Sequence, residues 1–202
     1  MTLWRGKDPL ILASQSRARQ SLLANAGIGF DSVPAGIDER TIQQNSGLSS
    51  PRDIAALLAR EKSLFVSGRR ANAYVVGADQ TLALGTRLFR TPDSRAQAAD
   101  QLRALAGRSH ELYAAVAVAR AGKILFEAVA IARMTMRPLR EAEIDGYLDE
   151  AGAAVTFSVG AYQLEGLGVH LFENIEGDHF TILGLPLLPL LAFLRSEGLL
   201  AI

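Results

Sequence analysis

The chain of 202 residues contains no cysteine, and only three of its 21 basic residues are lysines. The absence of cysteine excludes disulfides, thiolate metal sites and cysteine nucleophiles, and it fits a reducing compartment. Arginine supplies almost every positive charge, so a lysine inside a helix is a residue of special interest.

The sequence also lacks an excess of charge of either sign, because 21 acidic residues balance the 21 basic ones. Without a net field we expect no nucleic-acid partner and no anionic membrane partner. No apolar run approaches the roughly 18 residues of a membrane span, and the first ten residues lack the apolar core of a secretion signal. These absences predict a cytoplasmic protein, in which any anionic ligand is held by a local site.

Hydrophobic residues make up 49% of the chain and charged residues 21%, which is typical of a soluble globular protein. The length suits one core, or two lobes that share a cleft, and we expect one folding unit over residues 1–202. Strands and helices alternate at first, and hairpins follow. This order predicts an α/β fold with a mixed sheet.

Several elements can be placed from periodicity and capping residues. Ser50 and Pro51 begin one predicted helix, and either Asp93 or Ser94 caps another helix that ends at Leu105. The remaining predictions are a strand over residues 10–13, a second one near Phe30 and Val33, a loop from Pro34 to Glu39, two long strands joined at residues 121–122, a short helix over residues 140–152 and an apolar helix over Leu187–Leu194.

The stretch LILASQSRARQSLL, residues 10–23, places serines and arginines where a strand passes into a helix. A helix start exposes unpaired N–H groups and carries partial positive charge, so added hydroxyl and guanidinium groups make a phosphate site there. The alternative is an ordinary serine cap with solvated arginines.

Asp79 interrupts the apolar strand VVGADQTLAL, and a carboxylate in such a position needs a partner, a metal or a catalytic role. Gly77 before it permits close approach by a ligand. The alternative is a strand that ends at Gly77, with Asp79 in an exposed turn. Lys62 lies along the apolar edge of the helix after Pro51, so it either points inward to a phosphate or carboxylate, or outward into solvent.

Further carboxylates stand in loops. Asp38 and Glu39 end one loop, Glu165 lies between glycines, and together with Asp79 they supply enough oxygen ligands for Mg²⁺ or Mn²⁺. The glycine runs match neither a dinucleotide fingerprint nor a Walker loop. Three histidines lack metal-ligand spacing and are interpreted as structural: His110, His170 and His179.

Taken in order, seven segments resemble the Maf family of nucleoside triphosphate pyrophosphatases, relatives of the inosine triphosphatase group. They are LILASQSRARQSLLANAGIGF, GIDE, LAREKS, VVGADQTL, LAGRSHELYAAVAV, GAYQLEGLG and IEGDHFTILGLP. The blocks extend over nearly the full chain. Ordered blocks with compatible spacing are far more specific than any one of them.

The resemblance implies an elongated mixed sheet with flanking helices and two lobes around a central cleft, in one Maf-like domain over residues 1–202 that can form a homodimer. It implies hydrolysis of a nucleoside triphosphate between its α and β phosphates, with a divalent cation, Mg²⁺ or Mn²⁺. The family's proton acceptor falls on Asp79. A carboxylate beside a metal can orient and deprotonate water.

The resemblance assigns further roles at matching positions. Lys62 falls on the helix lysine that contacts the triphosphate, Glu39 falls on a metal carboxylate shared with Asp79, and the phosphate turn falls on Ser14, Ser16 and Arg19.

Three positions sort substrates in the family, and here they are Ala18, Gln80 and Glu165. The Gln and Glu pair resembles the branch that acts on 7-methyl-GTP, because the branch that acts on dTTP and UTP carries a threonine and a glutamine there. A carboxylate at Glu165 accepts from a guanine N1–H and amino group.

The chain departs from the family pattern at several positions. Arg17 replaces a proline, Gln20 replaces an arginine, and Thr91 stands where a lysine is common, with Arg90 beside it. A lost charge-assisted phosphate contact costs roughly 1.5–3 kcal/mol. Two hypotheses follow: a working pyrophosphatase with altered phosphate contacts, or a catalytically weakened nucleotide-binding or regulatory protein.

Overall fold

A computed structural model describes residues 3–202 and shows a mixed α/β protein. The α-helices are α1 Arg17–Asn25, α2 Glu39–Ser46, α3 Pro51–Ser67, α4 Arg95–Leu105, α5 Glu141–Ala151, α6 His179–Ile182 and α7 Leu187–Ser196. The strands are β1 Leu10–Leu12, β2 Phe30–Ser32, β3 Val75–Leu84, β4 Arg87–Phe89, β5 Ser109–Arg120, β6 Lys123–Met136 and β7 Phe172–Glu176. Three short 3₁₀ helices cover Gly152–Thr156, Val159–Ala161 and Leu167–Leu171.

The seven strands form one sheet in the order β2-β1-β3-β5-β6-β7, with β4 paired to β3. β1 is parallel to both β2 and β3, with Leu12 opposite Ser32 and Val76. β3 and β4 are antiparallel, as are β6 and β7. The predicted mixed α/β sheet with flanking helices is confirmed.

Side-chain caps fix the starts of three helices. Ser16, Ser50 and Ser94 accept hydrogen bonds from the backbone N–H three residues later, at the starts of α1, α3 and α4 respectively. Pro51 occupies the first turn of α3, as predicted. The turn between β5 and β6 has positive φ angles at both predicted positions, Ala121 and Gly122.

The chain divides into two compact units. The first contains the chain up to Gln80, Tyr113–Ala130 and His179–Ile202. One of its hydrophobic cores joins leucines of β1, α1 and α7 with Val76, Val116 and Val118. A smaller core of alanines packs α3 against β5. Asp79, Lys62, Glu39 and Arg19 belong to this unit.

The second unit contains Thr81–Leu112 and Ile131–Asp178. In it α4 packs on α5 and on the 3₁₀ helices Gly152–Thr156 and Val159–Ala161. The same unit contains an aromatic cluster, in which the rings of Tyr162 and Phe172 are 4.8 Å apart and His110 Nε2 is 2.7 Å from the Tyr162 hydroxyl. The structural role predicted for His110 agrees with this position.

Two regions contain elements that the sequence did not predict. The polar stretch after Glu39 forms α2, because Asp38 caps it and Gly47 ends it with a left-handed φ of 67°. The glycine-rich region near residues 160–176 contains 3₁₀ helices and strand β7. Among residues 3–202, no helix has the length and apolar character that crossing a membrane requires.

Gly77 has a different role from the predicted ligand approach. A Cβ at this position would lie 2.2 Å from the Ala59 carbonyl oxygen and 2.6 Å from the Ser63 backbone nitrogen. Both atoms belong to the backbone of α3, which cannot move independently of its helix. Gly77 therefore allows α3 to pack directly on β3.

Candidate active site

Asp79 lies in the middle of β3, which continues through it to Leu84. Only 7% of its surface is exposed. The alternative in which the strand ends at Gly77 and Asp79 occupies an exposed turn is therefore wrong. A carboxylate this deeply buried needs a compensating charge.

Lys62 supplies that charge from α3. Its Nζ atom is 2.6 Å from Asp79 Oδ1 and 2.7 Å from Glu39 Oε1, and only 8% of the residue is exposed. The inward orientation is thus the observed one. Because Gly77 brings α3 against β3, the ammonium group reaches the carboxylate two residues further along the strand.

Glu39 enters the cluster as the first residue of α2, with its side chain 49% exposed. Its neighbour Asp38 has another function: it caps α2, with Oδ1 accepting from the Thr41 N–H at 3.0 Å and Oδ2 accepting from the Thr41 hydroxyl at 2.7 Å. These hydrogen bonds lower the pKa of Asp38. Of the two predicted loop carboxylates, only Glu39 contacts Lys62.

The environment of Asp79 favours its protonated form more than water does. Burial raises the pKa of Asp79, and the charges of Lys62 and Arg19 oppose that shift. Within residues 3–202, Oδ1 binds Lys62 and no hydrogen bond reaches Oδ2. Asp79 therefore combines a pKa above the ordinary aspartate value with one free oxygen.

The serine turn after β1 is both a helix cap and a side-chain network. Ser16 Oγ accepts from the Arg19 N–H, which is the ordinary cap. Ser14 Oγ accepts from the Ser16 N–H and from Arg19 Nη1, each at 3.2 Å. Arg19 points into the protein, whereas Arg17 is exposed.

Arg19 connects three separate segments of the first unit. Besides Ser14, its Nη1 donates to the Ala78 carbonyl at 2.9 Å, and its Nε donates to the Gly184 carbonyl at 2.8 Å. Burial lowers the pKa of Arg19, while Asp79 and Glu39 raise it. The Ala78 contact places this guanidinium beside the residue that precedes Asp79.

The residues predicted to sort substrates lie in different units. Ala18 is in the first turn of α1, and Gln80 follows Asp79 on β3. Glu165 belongs to the second unit, as do Arg90 and Thr91. A contact between Glu165 and the other two residues stays a prediction.

Comparison with known proteins identifies the family. The profile described as Maf-like protein matches residues 9–197. The chain belongs to the Maf family. The predicted resemblance is confirmed, and with it the expectation of an enzyme, since the similar proteins named next are enzymes.

Full-length Maf relatives are closely similar. A protein of Bradyrhizobium diazoefficiens named nucleoside triphosphate pyrophosphatase is 70% identical over 202 residues, covering all of both chains. One of Rhodopseudomonas palustris with the same name is 69% identical over the same length. A Rhizobium meliloti protein named 7-methyl-GTP pyrophosphatase is 47% identical over 194 residues, covering 95% of this chain and 98% of the relative.

Among solved structures, a HAM1 protein from Coxiella burnetii aligns with 63% of this chain and 72% of its own, at a TM-score of 0.41 and 15% identity. Similarity at this level does not bear on function. The fold described above rests on the strands and helices of this Maf protein itself.

The site of this Maf protein offers a pair of carboxylates for a cation. Asp79 and Glu39 both lie within 2.7 Å of the Lys62 ammonium, so their oxygens converge on one positively charged position. Within residues 3–202 no group of three or more His, Asp or Glu side chains is placed to hold a metal ion. A pair is sufficient for Mg²⁺, which commonly takes one or two carboxylates and fills its sphere with water and substrate phosphates. The residues fit such a cation.

Sequence reasoning did not assign a role to the turn formed by Thr181, Ile182 and Gly184. Gln80 Nε2 donates to the Thr181 carbonyl at 2.9 Å and to the Ile182 carbonyl at 3.0 Å. The block IEGDHFTILGLP contained the only available signal, a glycine after a short apolar run. Backbone carbonyl oxygens carry no sequence signature, so their partners became visible only in the fold.

Proposed function

We propose that this Maf protein is a nucleoside triphosphate pyrophosphatase that releases a nucleoside monophosphate and pyrophosphate. The observation that carries the proposal is the buried cluster in which Lys62 joins Asp79 to Glu39. The cluster combines a candidate base, a phosphate-binding cation and a metal-binding carboxylate. The names of the full-length relatives support the same activity.

Asp79 acts as the general base. Its free Oδ2 accepts a proton from a water molecule as the water oxygen attacks the α phosphorus of the nucleotide. The bond between the α phosphate and the bridging oxygen to the β phosphate breaks, and pyrophosphate carries the electron pair away. A raised pKa brings the carboxylate nearer to the working pH, where a general base is most effective.

Lys62 and Arg19 bind the phosphate chain. Two of the three Lys62 hydrogens point at Asp79 and Glu39, so one remains for a phosphate oxygen. The Arg19 Nε and Nη1 atoms donate to protein acceptors, and Nη2 remains for a phosphate oxygen. Ser14 and Ser16 complete the phosphate turn at the start of α1, where the helix end favours an anion.

Glu39 and Asp79 hold a divalent cation, Mg²⁺ or Mn²⁺. A cation held by these two carboxylates would supply positive charge to the phosphates of the substrate. Glu39 is the half-exposed member of the pair, so its carboxylate is accessible to a cation from solvent.

Ala18, Gln80 and Glu165 select the nucleobase. A glutamate accepts from the adjacent N1–H and amino group of guanine, and uracil lacks that pair of donors. The Rhizobium meliloti relative bears the name 7-methyl-GTP pyrophosphatase, which supports a guanine-type substrate.

A catalytically weakened nucleotide-binding protein is the second candidate. The observations that favour it are the unusual Arg17, Gln20 and Thr91, together with the three protein contacts that already engage Arg19. Such a protein would bind a nucleotide and release little pyrophosphate.

Pyrophosphate release separates the two candidates. The assay uses Mg²⁺ or Mn²⁺ and a panel of 7-methyl-GTP, GTP, dTTP, UTP, CTP and ITP, with Asp79→Asn beside the wild type. Asp8→Asn, at an exposed residue, is the matched control. We expect Asp79→Asn to lower kcat by about 10²–10⁴-fold, the range of a lost general base, while Asp8→Asn retains full activity. Nucleotide-dependent stabilisation without release would favour the binding protein.

A further inference from the structure

Helix α6 ends in a turn whose geometry depends on Gly184. The Leu185 N–H donates to the Phe180 carbonyl and the Gly184 N–H donates to the Thr181 carbonyl, both at 3.1 Å. With a φ of 85° at Gly184, this is a Schellman motif. The carbonyls left at such a helix end carry partial negative charge and attract donors.

Two side chains of the candidate site supply those donors. The Gln80 amide donates to the Thr181 and Ile182 carbonyls, and the Arg19 guanidinium donates to the Gly184 carbonyl. The two side chains come from different elements, β3 and α1, and reach the same four-residue turn. The turn over residues 181–184 is hereafter called the α6 turn.

We infer that the α6 turn is a positioning element that fixes the Arg19 and Gln80 side chains, so that Gln80 presents its carbonyl oxygen to the nucleobase. This inference rests on the function proposed above. It assigns the positioning role to Gly184, which lies outside the residues proposed to touch the substrate.

The orientation of the Gln80 amide follows from its neighbours. The two atoms at 2.9 and 3.0 Å are carbonyl oxygens, which only accept hydrogen bonds, so the amide NH₂ must face them. Oε1 then points away from these carbonyls, and no hydrogen bond within residues 3–202 engages it. A ligand that meets Gln80 must donate, as the N–H and amino groups of guanine do.

Gly184 holds this arrangement because it has no side chain. A Cβ there would lie 3.3 Å from Arg19 Nη2, 3.4 Å from Arg19 Nε and 3.5 Å from Gln80 Oε1. The first two distances are at the tight end of carbon contacts, and a left-handed φ adds strain for any other residue. A methyl group at this position therefore presses on both site residues at once.

Gly184→Ala tests the inference against a matched control, Gly198→Ala. Gly198 also has a left-handed φ, of 70°, but a Cβ there meets nothing within 4 Å. Dissociation constants for GTP and UTP, measured by calorimetry with Mg²⁺, are the readout, so catalysis is not needed for an answer. Thermal unfolding shows that each variant is folded.

We expect Gly184→Ala to weaken the binding of both nucleotides through Arg19, and to weaken GTP binding about tenfold more than UTP binding through Gln80, whereas Gly198→Ala changes neither. Gln80→Glu, which places a carboxylate oxygen against the two carbonyls, provides the same test if Gly184→Ala does not fold. We expect Gln80→Glu to lower the preference for GTP over UTP, as Gly184→Ala does.

Equal affinities in Gly184→Ala and Gly198→Ala would overturn the inference. A loss that is the same for GTP and UTP would also overturn it, since a merely structural role lowers all affinities alike. Failure of the proposed function has a different signature: the wild type binds GTP but releases no pyrophosphate. A wild type that binds no nucleotide would overturn both.

Discussion

Lys62 Nζ lies 2.6 Å from Asp79 Oδ1, and both side chains are about nine-tenths buried. Glu39, which is half exposed, gives the ammonium group a second carboxylate partner, with its Oε1 2.7 Å from Lys62 Nζ. A buried ion pair of this kind is weak support for stability, because desolvation offsets the attraction. The effect of Lys62 on its partner is electrostatic, since its charge opposes the rise in the pKa of Asp79 that burial causes.

Lys62→Met is therefore expected to change the pH profile of the reaction. Burial already raises the pKa of Asp79, and Lys62 opposes that rise. The base acts when it is deprotonated, so activity falls as the pH drops through this pKa. Removing Lys62 raises the pKa of Asp79 further and moves the acidic limb of kcat/KM to higher pH.

The profile of kcat/KM against pH, taken with the best nucleotide of the panel, measures this shift. Lys123→Met, at an exposed lysine of β6, is the control and keeps the wild-type limb. A Lys62→Met profile that is lower at every pH but not displaced would separate Lys62 from the ionisation of Asp79.

Glu39→Gln tests the divalent cation. Because Glu39 is half exposed, its loss is expected to change the unfolding free energy by less than about 0.5 kcal/mol. The loss of one of two metal carboxylates should raise the Mg²⁺ concentration for half-maximal activity by about tenfold. A titration of activity with Mg²⁺ after treatment with a chelator measures this, with Glu150→Gln as an exposed control. An unchanged Mg²⁺ requirement would remove Glu39 from the metal site.

Much of this site could be predicted because its residues carry local signals. Asp79 interrupts an apolar strand, and Lys62 follows Leu58 by one helical turn after a Ser50 and Pro51 start. Those patterns are visible within a few residues. The inward orientation of Lys62 was one of two open alternatives, and the sequence alone did not decide between them.

Other features depend on residues far apart in sequence. Arg19 binds the carbonyl of Gly184, 165 residues away, and Gln80 binds the Thr181 carbonyl, 101 residues away. Helix α2 was missed because none of its residues is buried, so it lacks an apolar face for periodicity to reveal. Gly77 was assigned to a ligand because the approach of α3 has no local signature.

Gly77→Ala is expected to destabilise the protein by about 2–3 kcal/mol or more, as overpacking in a core does. Its methyl group would collide with the backbone at Ala59 and Ser63, which flank Lys62 on α3. Displacement of α3 should therefore also lower kcat. Gly146→Ala is the contrasting control, since Gly146 lies inside α5 with nothing within 4 Å, and alanine there should stabilise by about 1 kcal/mol. Urea unfolding of both variants gives the comparison.

His110 makes the fold sensitive to acid. It is 1% exposed, its Nε2 lies 2.7 Å from the Tyr162 hydroxyl, and its Nδ1 is buried without a hydrogen-bond partner among residues 3–202. Burial lowers the pKa of His110 to about 4. The unfolded chain has the ordinary value near 6.5, so it takes up a proton at a higher pH than the folded protein does.

The neutral imidazole therefore contributes stability that is fully present above pH 6.5 and is lost as the pH falls from 6.5 towards 4. The loss over that interval is about 3 kcal/mol of unfolding free energy. Asp79 opposes this trend because its raised pKa favours the protonated folded state. The contribution of His110 is therefore obtained from the difference in unfolding free energy between the wild type and a His110 variant at the same pH.

His110→Gln removes the titrating group and keeps a side chain that can bond to Tyr162. Its unfolding free energy at pH 7 should be lower than that of the wild type, because the substituted side chain fills the site less well. Between pH 7 and pH 4.5 it should then lose less stability than the wild type, and the gap between the two proteins should narrow. Equal losses in urea unfolding at the two pH values would mean that His110 is protonated at the same pH in the folded and unfolded chains.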